Sequence, residues 1–152
     1  MAEHDILSNE ALIGLRRLGI LVRHMKTKVQ DIEFYYGDWT NSHLAKDRDC
    51  GTVGCMAGHC CTMPYFQRLG LRLAGSDAVG IPRFEGAAGF YAMSILFSLS
   101  IQDTHHLFSP ETSGLGIFAS RSTVIKHFEK YIARKLKERR EARKALCKSK
   151  GE

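Results

Sequence analysis

The segment from Cys50 to Cys61 concentrates the residues of this chain that could do chemistry. It holds four of the five cysteines together with His59. Thiolates and imidazoles are zinc ligands, and a thiol beside an imidazole can act as a nucleophile. The segment is also rich in glycine and alanine, which suits a helix that packs closely against its neighbours. Three interpretations therefore have to be weighed.

Zinc binding would use Cys55 and His59, which are four residues apart and share one face of a helix. Cys50 would be a third ligand, and the fourth would come from Cys60 or from another histidine: His43, His105 or His106. The two Cys-x4-Cys spacings match no standard zinc finger or ribbon. We therefore expect no cofactor, and keep zinc at Cys50, Cys55, His59 and Cys60 as an alternative.

A reactive thiol is the second interpretation. Thr52 is a good N-cap for a helix starting at Val53, and such a helix would place Cys55 at its third position. Unpaired backbone N–H groups and the helix dipole lower a thiol pKa there. His59 could serve as the base, but the sequence ties no Asp, Asn or oxyanion element to it. A thiol- or zinc-dependent enzyme centred on Cys55 and His59 is thus the alternative function.

Close packing is the interpretation that we favour for this segment. Its small residues would form a helix surface of little bulk that another helix can approach, namely Gly54, Ala57 and Gly58. Reduced cysteines commonly behave as small buried apolar residues. The segment is then structural, and we expect the protein not to be an enzyme.

The elements around this segment are predicted to be mostly helices. Apolar residues recur at spacings of three and four from Ser8 to about Gln30, which predicts an amphipathic helix capped by Ser8 or Asn9. Residues 70–84 indicate one β-hairpin. Gly86 to Phe97 is apolar on every side and indicates a buried central helix. Ser100 opens a short helix, Ile101 to Phe108, which Pro110 ends.

The last predicted helix opens at Ser122 or Thr123 and has an apolar side as far as Leu136. Beyond Leu136 the apolar residues become rare and the helix should run into solvent. We therefore expect a helical domain over 1–136 and a basic helical extension over 137–152. The predicted fold is mainly α, a compact single domain with one short hairpin and an extended basic C-terminal helix.

Charge is distributed unevenly along the chain. Residues 121–152 contain 12 Lys and Arg against 4 acidic residues, whereas residues 1–120 have a net charge of −2. A basic helix attracts phosphates or an acidic partner. The candidate contact residues are spread around the helix, which favours nonspecific contact or a solvated extension over base reading: Arg134, Lys135, Lys137, Arg139, Arg140, Arg143 and Lys144.

Three short motifs follow one another in the middle of the chain. They are Asp38-Trp39, then Cys50-Gly51-Thr52-x-x-Cys55-x-Ala57-Gly58, then a helix and turn with Gln102 and Leu107-Phe108. This combination resembles a group of small uncharacterised proteins found in bacteria and bacteriophages. The similarity covers Phe34 to Phe108 and excludes the Cys60-Cys61 pair and the basic C-terminal helix. The resemblance implies an intracellular, mostly helical accessory protein, and it implies no activity or site residue.

The remaining signals favour a cytoplasmic binding protein. The N-terminal residues do not have the order of a secretion signal, and the longest mostly apolar stretch, Gly89 to Ile101, is shorter than the roughly 20 residues of a membrane span. Neither common glycine-rich nucleotide-binding motif occurs. We expect a small non-enzymatic regulatory protein that contacts a protein partner, nucleic acid or both. An inhibitor or modulator of a host nucleoprotein or defence complex is one example.

Overall fold

The computed structural model describes residues 5–36, 55–74 and 80–151, and in these ranges the fold is mainly α, as predicted. None of the described helices is both long enough and apolar enough to cross a bilayer. The helices are α1 (Asn9–Thr27), α2 (Met56–Thr62), α3 (Pro64–Leu69), α4 (Phe90–Phe97), α5 (Ile101–Phe108), α6 (Pro110–Ser113) and α7 (Arg121–Lys150). The strands are β1 (Arg72–Ala74), β2 (Ile81–Phe84) and β3 (Ala87–Ala88).

Helix α1 begins where its capping residue predicts. The hydroxyl of Ser8 accepts a hydrogen bond from the backbone N–H of Ala11 at 3.0 Å, which satisfies one of the free donors of the first turn. The helix ends at Thr27, three residues before the expected Gln30, and a 3-10 turn follows at Asp31–Glu33.

Helix α1 packs against the C-terminal end of α4. A Cβ atom added to Gly14 would overlap the carbonyl oxygen of Phe97, so only glycine allows this approach. Arg17 donates from Nη1 to the carbonyl of Leu96 at 2.8 Å. A cation thus satisfies one of the carbonyls that a helix leaves unpaired at its C-terminus.

The predicted hairpin is confirmed, and the structure extends it to three antiparallel strands in the order β1-β2-β3. Glu85 and Gly86 join β2 to β3, with positive φ angles of 48° and 80°. Two such residues form the tight turn that fits the twist of a hairpin. The central helix was expected to start at Gly86, and this is wrong: Ala87–Ala88 is strand, and the helix starts at Phe90.

Aromatic side chains connect the helices through the core. Phe66 contacts Phe97, Phe97 contacts Phe108, and Phe108 contacts Phe128, with ring centroids 5.1 to 5.7 Å apart. These four residues come from α3, α4, α5 and α7. Helix α5 has the predicted bounds, and Ser100 accepts from the backbone N–H of Asp103 at 3.1 Å.

Helix α7 begins at Arg121 with Ser120 as its N-cap, slightly earlier than predicted, and continues without a break past residue 136 to Lys150. It runs antiparallel to α1. Arg121 donates to the carbonyl of Met25 at 2.7 Å, and Arg139 donates to the carbonyl of Ile6 at 2.7 Å. The two helices therefore lie side by side over residues 121–139 of α7, and the remaining turns extend beyond the start of α1.

Candidate nucleic-acid interface

The cysteine-rich helix α2 is buried along almost its whole length, but it starts later than predicted. Cys55 is the N-cap residue, with φ −80° and ψ −176°, and the first helical residue is Met56. The expected third helical position for Cys55 is therefore wrong. Its side chain is only 2% exposed. Cys50 and the expected cap Thr52 lie outside the described residues.

The thiols of Cys60 and Cys61 have raised pKa values, whereas a reactive cysteine has a lowered one. Burial raises the pKa of the Cys60 thiol well above its ordinary value. Burial also raises the pKa of Cys61 to about 12. A thiolate is disfavoured in such apolar surroundings. Cys60, Cys61 and Cys147 form no disulfide.

His59 is used as a structural hydrogen-bond donor. Its Nε2–H donates to the backbone carbonyl of Glu33 at 2.6 Å, and its side chain is 3% exposed. Burial lowers the pKa of His59, although the bond to Glu33 acts in the other direction. A nitrogen that donates a proton to a carbonyl cannot at the same time bind a metal or accept a proton. His59 thus fixes α2 to the turn that follows α1.

Within residues 5–36, 55–74 and 80–151, no group of three or more His, Cys, Asp or Glu side chains is arranged to hold a metal. The candidate ligand His43 lies outside these ranges. The other two candidate histidines point in different directions, as expected for adjacent helical residues. His105 packs on Phe90 with ring centroids 4.3 Å apart, and His106 packs on His127 at 4.6 Å.

The seven basic residues predicted to contact a partner have different surroundings. Lys135 is half-buried and lies 3.7 Å from Asp103 Oδ2 and 3.2 Å from Glu138 Oε2. Arg139 is buried and donates from Nη1 to the carbonyls of Ile6 and Ser8. The other five are exposed: Arg134, Lys137, Arg140, Arg143 and Lys144.

A row of lysines on the exposed side of α7 was not identified from the sequence. Its members are separated by four, seven, seven and four residues: Lys126, Lys130, Lys137, Lys144 and Lys148. Seven residues are close to two helical turns, so these side chains share one face. From the first to the last the row is about 33 Å long. The regular spacing of these lysines could have revealed the row from the sequence. We refer to the five residues as the lysine row.

The five lysines of the row form no salt bridge with a described carboxylate, and they outnumber the one acid, Glu141, that shares their face. No described acidic side chain lies within salt-bridge distance of these five lysines. Glu129 lies 3.4 Å from Lys26, and Glu138 lies close to Lys135. A third acid, Glu141, is exposed on the same face as the row, between Lys137 and Lys144, and is not within salt-bridge distance of them. All five lysines are exposed, so the row presents its charge to solvent.

An apolar groove of about 540 Å³ lies between α1 and α7, beside the lysine row. We call it the α1–α7 groove. Its lining combines apolar and small residues with a few charged residues at the edges: Gly19, Val22, Arg23, Lys26, Thr27, Glu129, Ile132, Ala133 and Leu136.

A smaller cavity of about 60 Å³ lies on the other side of α7. Tyr131 donates from its hydroxyl to Asp103 Oδ2 at 2.8 Å, and Lys135 is the nearby cation. Burial and the bond to Asp103 raise the pKa of Tyr131, so the hydroxyl stays protonated. These contacts join α7 to the start of α5.

No protein-family model, curated protein or solved structure matches this chain. The lysine row and the α1–α7 groove are therefore the observations from which function is inferred.

Proposed function

We propose that this protein is a non-enzymatic binding protein that contacts the phosphate backbone of nucleic acid through the lysine row. The proposal is supported by the row itself. Five exposed lysines lie on one face of α7, and no described carboxylate is within salt-bridge distance of them. Lysine ammonium groups are compact cations that bind phosphates as point charges. Neutralising phosphates releases condensed counterions, which supplies most of the nonspecific affinity for nucleic acid.

The length and composition of the row favour contact without base reading. Its span of about 33 Å is close to one turn of duplex DNA, which is about 34–36 Å. The row consists of lysines alone, and their flexible ammonium groups act as point charges that suit phosphate oxygens, whereas the planar fork of arginine suits bidentate contacts to base edges. The proposed contact is therefore with the backbone of the nucleic acid and is largely independent of sequence.

Thiol or zinc chemistry at Cys55 and His59 has less support. The thiols of Cys60 and Cys61 are buried with raised pKa values, and Nε2 of His59 donates to a carbonyl. The assignment to a bacterium or bacteriophage depends on the sequence resemblance alone. The same holds for inhibition or modulation of a host nucleoprotein or defence complex.

The salt dependence of binding tests this proposal. We expect a fluorescein-labelled duplex of 20 base pairs to bind the full chain, with a slope of log K against log salt near −4.5 for about five phosphate contacts. The double variant Lys137→Gln/Lys144→Gln should weaken binding to all duplex sequences alike. It should also make the slope less steep by about 2. Fluorescence anisotropy at several salt concentrations measures both quantities.

The matched control is Lys28→Gln/Arg68→Gln, which removes the same net charge at exposed positions outside α7. Its slope should stay that of the unaltered protein. Two results would contradict the proposal: binding of the unaltered protein that barely depends on salt, or an equal loss of slope in both double variants.

A further inference from the structure

We infer that the α1–α7 groove is the docking site for an acidic amphipathic α-helix of a partner protein. This inference goes beyond the proposed nucleic-acid contact, since it concerns a different surface and a different class of partner. It does not depend on the lysine row binding phosphate.

The shape of the groove fits a helix. Helices α1 and α7 are antiparallel neighbours, and a third helix can lay its ridge of side chains into the depression between two such helices. The floor is apolar at Val22, Ile132 and Leu136, and the lining residues Gly19 and Ala133 have almost no side chain. An amphipathic helix would place apolar residues there at spacings of three, four and seven.

The glycine at position 19 supports the inference that a partner helix binds in the groove. A Cβ added to Gly19 would meet nothing within 4 Å, so packing inside the chain does not require glycine at this position. Glycine nevertheless lowers the helix propensity of α1. Gly14 of the same helix is different, because there the Phe97 carbonyl leaves no room for a Cβ. The missing side chain of Gly19 keeps the groove open and allows another backbone to approach closely.

The charged residues at the edges of the groove indicate that the partner helix is acidic. Arg23 and Lys26 line the groove together with a single acid, Glu129, which lies 3.4 Å from Lys26, so the lining has a net charge of +1. Exposed cations continue the edges about one turn further, at Arg16 on α1 and at Arg140 on α7. A second copy of this chain would bring cations against cations, which is unfavourable. Nucleic acid would leave the apolar floor without apolar side chains, whereas an acidic amphipathic helix complements both the floor and the edges.

A synthetic peptide tests the docking site directly. The probe is an 18-residue fluorescein-labelled helix with leucines along one face and glutamates on the others. The control peptide has the same composition in scrambled order, so its charge is kept and its apolar face is lost. We expect saturable binding of the first peptide to the full chain and at least tenfold weaker binding of the scrambled one.

Filling the groove should abolish the interaction without altering charge. Gly19→Leu places a bulky side chain at the groove, starting from a Cβ that meets nothing within 4 Å, and leucine is a good helix former. Peptide binding should fall by about tenfold or more, while Gly19→Ala keeps it within about threefold. Urea unfolding should show that both variants remain at least as stable as the unaltered protein. Duplex binding should be unchanged in both, which separates this inference from the proposed function.

Four results would overturn the inference: absence of peptide binding at millimolar concentration, equal binding of the scrambled peptide, unchanged peptide binding in Gly19→Leu, or equal loss of duplex and peptide binding in that variant. The last result would assign the groove to nucleic acid.

Discussion

At the scale of single residues, the two glycines of α1 are present for different reasons. Gly14 allows the helix to touch the end of α4, where the Phe97 carbonyl occupies the space of a Cβ. Gly19 faces the α1–α7 groove, where a Cβ would meet nothing. In the sequence each of these glycines only lowers the helix propensity of α1, and the sequence cannot separate them because the difference lies in what packs against each position.

Alanine substitution should therefore change stability in opposite directions at these two positions. Gly14→Ala should destabilise the protein by about 1–3 kcal/mol, because the added methyl group overpacks the contact with α4. Gly19→Ala should stabilise it by about 0.8–1 kcal/mol through helix propensity alone. Urea unfolding of each variant beside the unaltered protein measures both changes. A loss of similar size at both positions would show that the groove is not open as described.

At the scale of the elements, two arginines hold α7 against α1. Arg121, next to the N-cap of α7, donates to the carbonyl of Met25 and to Asp31 Oδ1. Arg139, near the other end of the contact, donates to the carbonyls of Ile6 and Ser8. The sequence placed Arg139 among the partner-binding residues, since charge alone does not reveal which arginines are buried. Its neighbour Arg140 is exposed.

Arg139 and Arg140 offer a matched test of whether Arg139 holds α7 against α1. Arg139→Met keeps the aliphatic stem and removes the donors, which leaves two backbone carbonyls without that partner. We expect a loss of about 1.5–3 kcal/mol, the usual contribution of hydrogen bonds to a charged group. Arg140→Met should change stability by less than about 0.5 kcal/mol. Equal free energies of unfolding for the two variants would rule out a clamping role for Arg139.

The helix starts show which elements the sequence could predict. Ser8 and Ser100 are strong caps, and the helices that follow them begin where expected. The expected starts of α2 and α4 were wrong because no capping side chain or local sequence pattern marks where these two helices begin. Cys55 caps α2 without a side-chain hydrogen bond. Gly86, expected to open α4, instead closes the turn between β2 and β3.

At the scale of the whole molecule, the candidate surfaces differ in how far the sequence reveals them. The lysine row requires only the helical period and could have been read from its spacings. The α1–α7 groove requires knowledge that two helices more than 90 residues apart lie side by side, which no local pattern supplies. His59 was a candidate zinc ligand or base in the sequence, whereas its burial and its hydrogen bond to Glu33 were not predicted.

The burial of His59 predicts how the stability of the whole fold depends on pH, because burial outweighs the opposite effect of the hydrogen bond to Glu33 on the pKa. Burial lowers the pKa of His59 below its ordinary value of 6.5 in the folded state, and burial lowers the pKa of His24 in the same direction. The unfolded chain therefore binds more protons than the folded chain between the folded-state pKa and 6.5. Stability is full above 6.5 and falls as the pH decreases through this window.

The variant His59→Gln isolates the contribution of His59, because a glutamine amide can still donate to the Glu33 carbonyl but does not titrate. We expect the free energy of unfolding of the unaltered protein to fall more between pH 7.5 and pH 5.5 than that of the variant. Urea unfolding at closely spaced pH values measures the two curves. Parallel curves would show that His59 does not couple folding to protonation, and a smaller fall in the unaltered protein would reverse the sign assigned here.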